Sequence, residues 1–262
     1  MVQKNILASI LIANYNSSQY IQHCINSLSN QTYKNLEIIF FDDNSSDNSI
    51  DIIKQFSNIK VIENKIQSKF GSLNQLNAFK EAVKISKGDL IFLLDSDDYF
   101  NKEKIEKVVD YFNNNKNAKI VFDYPFIVEN NNIYSEKTKL KFFKTYWPYI
   151  HPTSCISIKK NYFEEMLKVI SYKDFTDVWL DLRICLFSKY ILKDFHIINE
   201  NLTFYRKTAS NISSKFNKFS KNWWKRRMQA HQFFQKFSKD NELNFNKNFD
   251  FLLTKLICKF LK

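Results

Sequence analysis

Three carboxylates stand within four residues at Asp95-Ser96-Asp97-Asp98, directly after the apolar run DLIFLL at 89–94. Two carboxylates separated by one residue on a turn can face a single cation. Hard divalent ions such as Mg²⁺ or Mn²⁺ take oxygen ligands and readily share them with diphosphate. An ion held there would neutralise charge building on a departing nucleoside diphosphate. Asp-rich turns also cap helices without any ligand, so this cluster alone leaves both readings open. A second cluster, Asp42-Asp43-Asn44-Ser45-Ser46-Asp47, follows the apolar run LEIIFF at 36–41. Asp42 at a strand tip can accept a hydrogen bond from a base or ribose, whereas Asp47 has the look of an Asx turn and helix cap. A third polar exit, Asn14-Tyr15-Asn16, follows ILASILIA at 6–13.

The elements that would carry these clusters alternate between strand and helix. Residues 6–13, 36–41, 59–62 and 89–94 are short continuous apolar runs, as buried strands are. Between them lie helical patterns: Tyr20, Ile21, Cys24, Ile25 and Leu28 after a Ser17 or Ser18 cap, then Ile50, Ile52, Ile53 and Phe56 after Asp47. A third runs from about Ser72 to Ser86 and stops at Lys87-Gly88, as a helix C-terminus does. Asn101 caps a fourth, which reaches about Tyr111. This alternation predicts an α/β fold: a mostly parallel, Rossmann-like nucleotide-binding sheet covered on both faces by helices. Ligands of such sheets bind beyond the carboxyl ends of the strands. Three polar clusters on three strand ends therefore point to one nucleotide-sugar site.

After residue 123 the pattern changes. Residues 124–149 read as loop-rich, with Pro125 and Pro148, and 153–158 alternate like a half-exposed strand. Helices are predicted over 160–169 and 177–189, short strands at 195–198 and 202–205, and two basic amphipathic helices over 216–238 and 247–261. Three units follow: 1–123 with the nucleotide-sugar site, 124–215, and a basic amphipathic helical tail at 216–262.

Composition narrows the function. The chain of 262 residues is 44% hydrophobic and has only two glycines, Gly71 and Gly88. A Gly-rich phosphate loop is thereby excluded, and any nucleotide must be held by carboxylates, a metal and basic side chains. Four scattered cysteines form no CxxC pair and resemble neither a zinc site nor a disulfide framework. With no signal-peptide pattern and no apolar run of the ~18 residues a bilayer crossing needs, the expected location is cytoplasmic or peripheral on the inner face of the membrane.

The motifs ASILIANYN, IIFFDDNSSDNS, QLNAFKEAVKISKGDLIFLLDSDD, FTDVWLDLR and FYRKTASN resemble glycosyltransferase family 2, of the GT-A fold, over roughly residues 6–212. The resemblance implies an inverting, metal-dependent transfer of a sugar from a nucleoside-diphosphate donor, a UDP-sugar first, to a hydroxyl of a glycan or lipid-linked glycan. It implies that Asn14 and Tyr15 line the base and that Asp42 contacts uracil or its equivalent. Asp95 lies near ribose and metal, Asp97 ligates the Mg²⁺ or Mn²⁺, and Asp177 is the general base; Asp181, one turn on, is the fallback or else pairs with Arg183. Three positions depart from the family pattern. Lys80-Glu81-Ala82 replaces Asn-x-Gly, and Lys80 there is a candidate diphosphate contact. Thr208 stands where Tyr-Arg-x-His has its His, and Thr176 precedes Asp177 where Glu is usual. His151 reads as an exposed loop residue.

The net charge of +12 is uneven: from Lys207 to Lys262 there are 13 Lys or Arg against three acids, so this tail holds +10 of it. Phe216, Phe219, Trp223, Ala230, Phe234 and Phe237 form one helical stripe, and Leu252, Leu253, Leu256, Ile257, Phe260 and Leu261 another. Either these stripes pack on the core or they meet an anionic membrane surface. Nucleic acid is the weaker partner, because the two Asp clusters repel phosphate. The competing functional classes are a nucleotidyl- or phosphotransferase on a similar sheet, and a non-catalytic membrane- or nucleic-acid-binding protein.

Overall fold

The computed structural model describes residues 5–130, 132–135, 146–208, 211, 214, 216–244 and 246–261. The four apolar runs of the first half become β1 (Ala8–Asn14), β2 (Leu36–Asp42), β3 (Ile59–Glu63) and β4 (Leu90–Asp95), all parallel in the order β3-β2-β1-β4. Helices α1 (Ser18–Ser29), α2 (Ser49–Ile53) and α3 (Gly71–Ile85) form the crossovers that parallel neighbours require. Successive strand residues face opposite sides of the sheet. Ile10, Ile12, Phe40, Phe92 and Leu94 thus enter one core with α1 and α4 (Lys104–Asn114). Leu11, Ile39, Ile91 and Leu93 enter a second core with α3, α5 (Lys160–Ile170), α6 (Leu180–Phe187) and α7 (Lys221–Asp240). All nine strand residues are fully buried, and each contributes about 1.5–3 kcal/mol relative to exposure.

The same sheet continues through the second half, in the order β3-β2-β1-β4-β8-β6-β9-β5 with β7 on β6. β6 (Ile120–Glu129) and β9 (His196–Arg206) pair in parallel, while β8 (Ile156–Lys159) is inserted antiparallel between β4 and β6. β5 (Tyr99–Phe100) and β7 (Asn132–Ser135) are antiparallel additions on β9 and β6. The parallel reading holds for β1 to β4 and for the β6–β9 pair.

Several local expectations are corrected. The segment read as loop from 124 begins as strand, because β6 runs through Pro125 to Glu129; register shifts flank Tyr124, and a bulge tolerates the missing proline N–H. The strands expected at 195–198 and 202–205 are one strand, β9. Residues Thr153–Cys155 form a 3-10 turn, and Ile156, Ser157 and Ile158 in β8 are fully buried rather than half exposed, since β8 lies inside the sheet. Gly88 is not a left-handed helix cap, for no glycine here has positive φ. Its N–H donates to Ser9 Oγ at 2.9 Å, and a Cβ would lie 2.5 Å from the Leu7 carbonyl. Glycine is needed because the backbone passes so close to β1.

One buried cation joins the two halves. Lys104, at the start of α4, is fully buried and forms an ion pair with Asp123 of β6 at 2.8 Å. Its Nζ also donates to the Ser154 carbonyl and to Thr203 Oγ1 of β9, both at 2.6 Å. Thr203 Oγ1 in turn donates to Asp123 Oδ1 at 2.7 Å. Removing one partner of a buried pair leaves the other charge uncompensated, at about 3–5 kcal/mol. Lys104→Met should therefore destabilise the protein by that amount in urea unfolding, and the double change Lys104→Met with Asp123→Leu should recover much of the loss.

Candidate active site

The turn after β4 is held from three sides. Asp98 is fully buried; its Oδ2 accepts from Ser154 Oγ at 2.6 Å and its Oδ1 from the Arg206 backbone N–H at 2.8 Å. Ser154 Oγ accepts from the Asp95 N–H at 3.0 Å. Arg206 Nη1 donates to the Asp97 carbonyl at 2.6 Å, and its guanidinium lies against the rings of Tyr20 and Tyr99. Asp98 and Arg206 are thus the frame of the turn. Asp95 and Asp97 face a cavity of about 970 Å³. Asp95 Oδ1 accepts there from Gln75 Nε2 of α3 at 2.7 Å.

On the β1–β2 side, Asn14 and Tyr15 line the cavity, and Tyr15 is 51% exposed. Asp42 does not line it. Its carboxylate is buried, accepting from Asn14 Nδ2 at 2.7 Å, Ser45 Oγ at 2.6 Å and Ser45 N–H at 2.9 Å. The next residue, Asp43, lines the cavity, with its oxygens accepting from Asn64 Nδ2 at 2.7 Å and Gln67 Nε2 at 2.8 Å. Asn16 and Asn44 both take positive φ, the left-handed region that Asn tolerates, and this turns the chain back at each strand exit.

The opposite wall comes from the second half and the tail. Trp147, Ile150, Pro152, Trp179, Asp181 and Tyr205 line it, together with Phe216, Trp223, Arg226, Arg227 and Ala230. Asp177 is not among the lining residues: its Oδ2 accepts from Gln229 Nε2 at 2.9 Å and its carbonyl from Arg226 Nε at 2.9 Å. Arg183 does not pair with Asp181. It is fully buried, and its guanidinium donates to the carbonyls of Ile170, Tyr172, Phe175 and Val178. Lys80 is exposed on α3 and outside the cavity, whereas Asn74, Gln75 and Ala78 of the same helix line it. His151 is fully buried, donating from Nδ1 to the Asp123 carbonyl at 2.8 Å. Thr208 lies by a smaller depression of about 370 Å³ with Glu129 and Asn211.

These surroundings set the acidity of the site. Burial, followed by the Asp97 charge, pushes Asp95 up to about 7, against the hydrogen bond from Gln75. Burial pushes Asp97 up to about 6, opposed in part by Arg206. Asp181 also rises to about 7 by burial, against the opposing charge of Arg226. Arg226 is itself held over the rings of Trp179 and Phe216, 4.1 and 4.3 Å from their centroids. Burial therefore disfavours the ionised form of all three carboxylates, and a cation in the cavity would favour it. Among the described residues no group of three His, Cys, Asp or Glu side chains converges as a complete metal cage. Asp95 and Asp97 nevertheless fit Mg²⁺ or Mn²⁺, which are commonly held by one or two carboxylates, waters and substrate phosphates.

Gln75, Asp43 and Arg226 carried no advance signal: a helix glutamine, the second of two adjacent acids, and one arginine in a basic run. Asp181 had one, its place in TDVWLDLR one helical turn after Asp177.

Fold and cavity together define the class, an α/β enzyme scaffold of the GT-A type with carboxylates at the strand ends. Solved structures of that fold superpose on nearly the whole chain. Staphylococcus aureus TarS 1–349 in complex with UDP-GlcNAc matches with TM-score 0.61 and 15% identity over 98% of this chain and 71% of that one. The Pyrobaculum calidifontis mannosyltransferase PcManGT, in complex with GDP-Man and Mn²⁺, matches with TM-score 0.57 and 13% identity over 97% and 69%. In sequence, residues 9–179 match the model of glycosyl transferase family 2. An uncharacterized glycosyltransferase of Methanocaldococcus jannaschii is 32% identical over 76% of this chain and 70% of its own length. The chain belongs to glycosyl transferase family 2. The Escherichia coli UDP-Glc:alpha-D-GlcNAc-diphosphoundecaprenol beta-1,3-glucosyltransferase WfaP is 37% identical over 50% of this chain, and the match spans 47% of that relative's length.

The raised Asp181 has a consequence for stability. Between its unfolded value, about 4, and its folded value near 7, the folded state binds more protons than the unfolded one, so its contribution to stability falls as pH rises. Asp181→Asn should flatten the decline in melting temperature of metal-free protein between pH 5 and pH 7, read by calorimetry, relative to the unsubstituted chain.

Proposed function

We propose that this protein transfers a glycosyl group from a nucleoside-diphosphate sugar, a UDP-sugar first, to a hydroxyl of a lipid-linked or surface glycan, with inversion at the anomeric carbon and with Mg²⁺ or Mn²⁺. The observation that carries this reading is the single cavity onto which Tyr15, Asp43, Asp95, Asp97 and Asp181 all open. The donor is supported by the UDP-GlcNAc named for TarS, and the lipid-linked acceptor by the diphosphoundecaprenol substrate in the name of WfaP. In this reading residues 1–123 bind the donor, 124–215 the acceptor, and the start of the tail completes the acceptor wall.

The half-exposed ring of Tyr15 lies against the base, and Asp43 accepts a hydrogen bond from a base N–H or ribose hydroxyl. Asn14 holds the floor of this subsite, itself fixed by Asp42. Asp95 and Asp97 would hold the metal, which supplies positive charge to stabilise the departing diphosphate. Gln75 keeps the Asp95 carboxylate turned into the cavity. The acceptor sugar rests on Trp147 and Trp179, whose apolar faces suit a pyranose ring.

Asp181 is the general base. A sugar hydroxyl is a poor nucleophile, so a carboxylate must take its proton as attack proceeds. Asp181 lies on the wall that faces Asp95, and Asp95 feels its charge. Asp177, the residue aligned with the family motif, has its carboxylate engaged by Gln229. Arg226 favours ionised Asp181 by its charge. Attack from the Asp181 side, opposite the diphosphate, inverts the anomeric centre.

Incubation with a panel of nucleotide sugars should release nucleoside diphosphate, and Asp97→Ala should abolish the stimulation by Mn²⁺ while the protein stays folded. Asp181→Asn should lower kcat by roughly 10²–10⁴-fold, and Asp177→Asn should leave it within a few-fold. The acid limb of kcat/KM should lie near pH 7 and move upward in Arg226→Met, where the cation favouring the carboxylate is gone. Full turnover in Asp181→Asn would reject this assignment of the base.

A further inference from the structure

The two tail helices meet different surroundings. α7 turns Ala230, Phe233, Phe234 and Phe237 into the core beside α5 and α6. This part of its stripe belongs to the fold, while Phe216 and Trp223 line the cavity and Phe219 is exposed. α8 (Phe249–Phe260) lies on α7 through buried Phe251 and Thr254. Its start is fixed by the Asn248 side chain, which accepts from the Phe251 N–H, and by Asp250, which pairs with Arg227 of α7.

The other face of α8 is apolar and open to solvent. Leu252 is 53% exposed, Leu253 38%, Leu256 53% and Phe260 81%. Steps of one, three and four residues place all four on one stripe, directly opposite Phe251 and Thr254. Single exposed hydrophobics are ordinary, but a contiguous stripe marks an interaction surface. Lys255 and Lys259, both exposed, flank it on one side, within a tail that carries +10 of the net charge of +12. No described helix is long and apolar enough to cross a membrane.

We propose that this face of α8 lies in the headgroup boundary of an anionic lipid bilayer, with Leu252, Leu253, Leu256 and Phe260 among the acyl chains and Lys255 and Lys259 over the phosphates. An apolar stripe with lysines beside it matches the two layers of such a surface, hydrocarbon below and negative charge above. A second copy of the chain fits less well, because apposing two such helices brings like charges together. Nucleic acid would engage the lysines and leave the leucines in water. The proposal goes beyond the reaction described above. It bears on that reaction in one way: Trp223, Arg226 and Arg227, which line the cavity, stand on the helix that carries α8, so docking would hold the acceptor wall close to the lipid surface.

The test is sedimentation of the full chain with vesicles of phosphatidylcholine alone and with added phosphatidylglycerol. Binding is expected to the anionic vesicles and to weaken with salt. The triple variant Leu252→Gln, Leu256→Gln, Phe260→Gln should lose at least ~10-fold in partitioning, with unchanged circular dichroism and melting temperature. Lys255→Gln with Lys259→Gln should lose the preference for anionic lipid. Failure of the unsubstituted chain to bind either vesicle overturns the proposal, as does a triple variant that binds as well as the parent. So does a concentration-dependent dimer that the triple variant dissolves in the absence of vesicle binding, an outcome that assigns the face to a second copy. Nucleoside-diphosphate release, measured without lipid on the same variants, should be unchanged. Its absence in the parent chain would speak against the reaction and leave the lipid result standing.

Discussion

A single buried ammonium group organises this protein. Lys104 sits with no access to solvent, pairs with Asp123, and donates hydrogen bonds to Thr203 Oγ1 and the Ser154 carbonyl. Those three groups belong to β6, β9 and the turn before β8. Ser154 then carries the constraint outward, since its hydroxyl joins Asp98 to the backbone of Asp95. The carboxylates that face the cavity are thus placed by polar groups that never touch it. A buried network of this kind is stabilising only when each member is satisfied, and here it ties the turn after β4 to β6 and β9.

Against that satisfied network stands a cavity whose charges are not satisfied. Asp95, Asp97 and Asp181 are pushed up by burial, opposed in part by hydrogen bonds and by the charges of Arg206 and Arg226. Such a site is held at some expense of stability, which a divalent cation of the kind proposed above would relieve.

The tail belongs to the site. The family match ends at residue 179, yet Asp181, Tyr205, Trp223 and Arg226 all line the cavity beyond that point. α7 is anchored by aromatic packing of Phe233 against Tyr172 and Phe175 and delivers Arg226 between two aromatic rings. α8 is carried on α7 and is one step further from the chemistry, so its exposed face is free of any duty to the core.

Much of the fold and part of the site could be read from the chain alone. The four apolar runs, the helical spacings between them and the acidic exits after β2 and β4 are local features, and local periodicity follows from backbone geometry that every residue shares. Asn14, Tyr15, Asp95 and Asp97 were placed at the cavity on that basis. What the sequence left open depends on direction and on distant partners. Whether Asp42 or Asp43 faces the cavity depends on which one Asn14 and Ser45 engage. Whether Asp177 or Asp181 does so depends on Gln229, 52 residues away from Asp177. β6 persists through Pro125 because β9 pairs with it across a bulge. Lys104 gave no sign of burial, because a lysine in a polar helix start looks solvated until Asp123 and Thr203 are brought to it. Strand and helix periods are encoded within a few residues, but the side on which a carboxylate points and the charge it feels are set by contacts that exist only once the chain has folded.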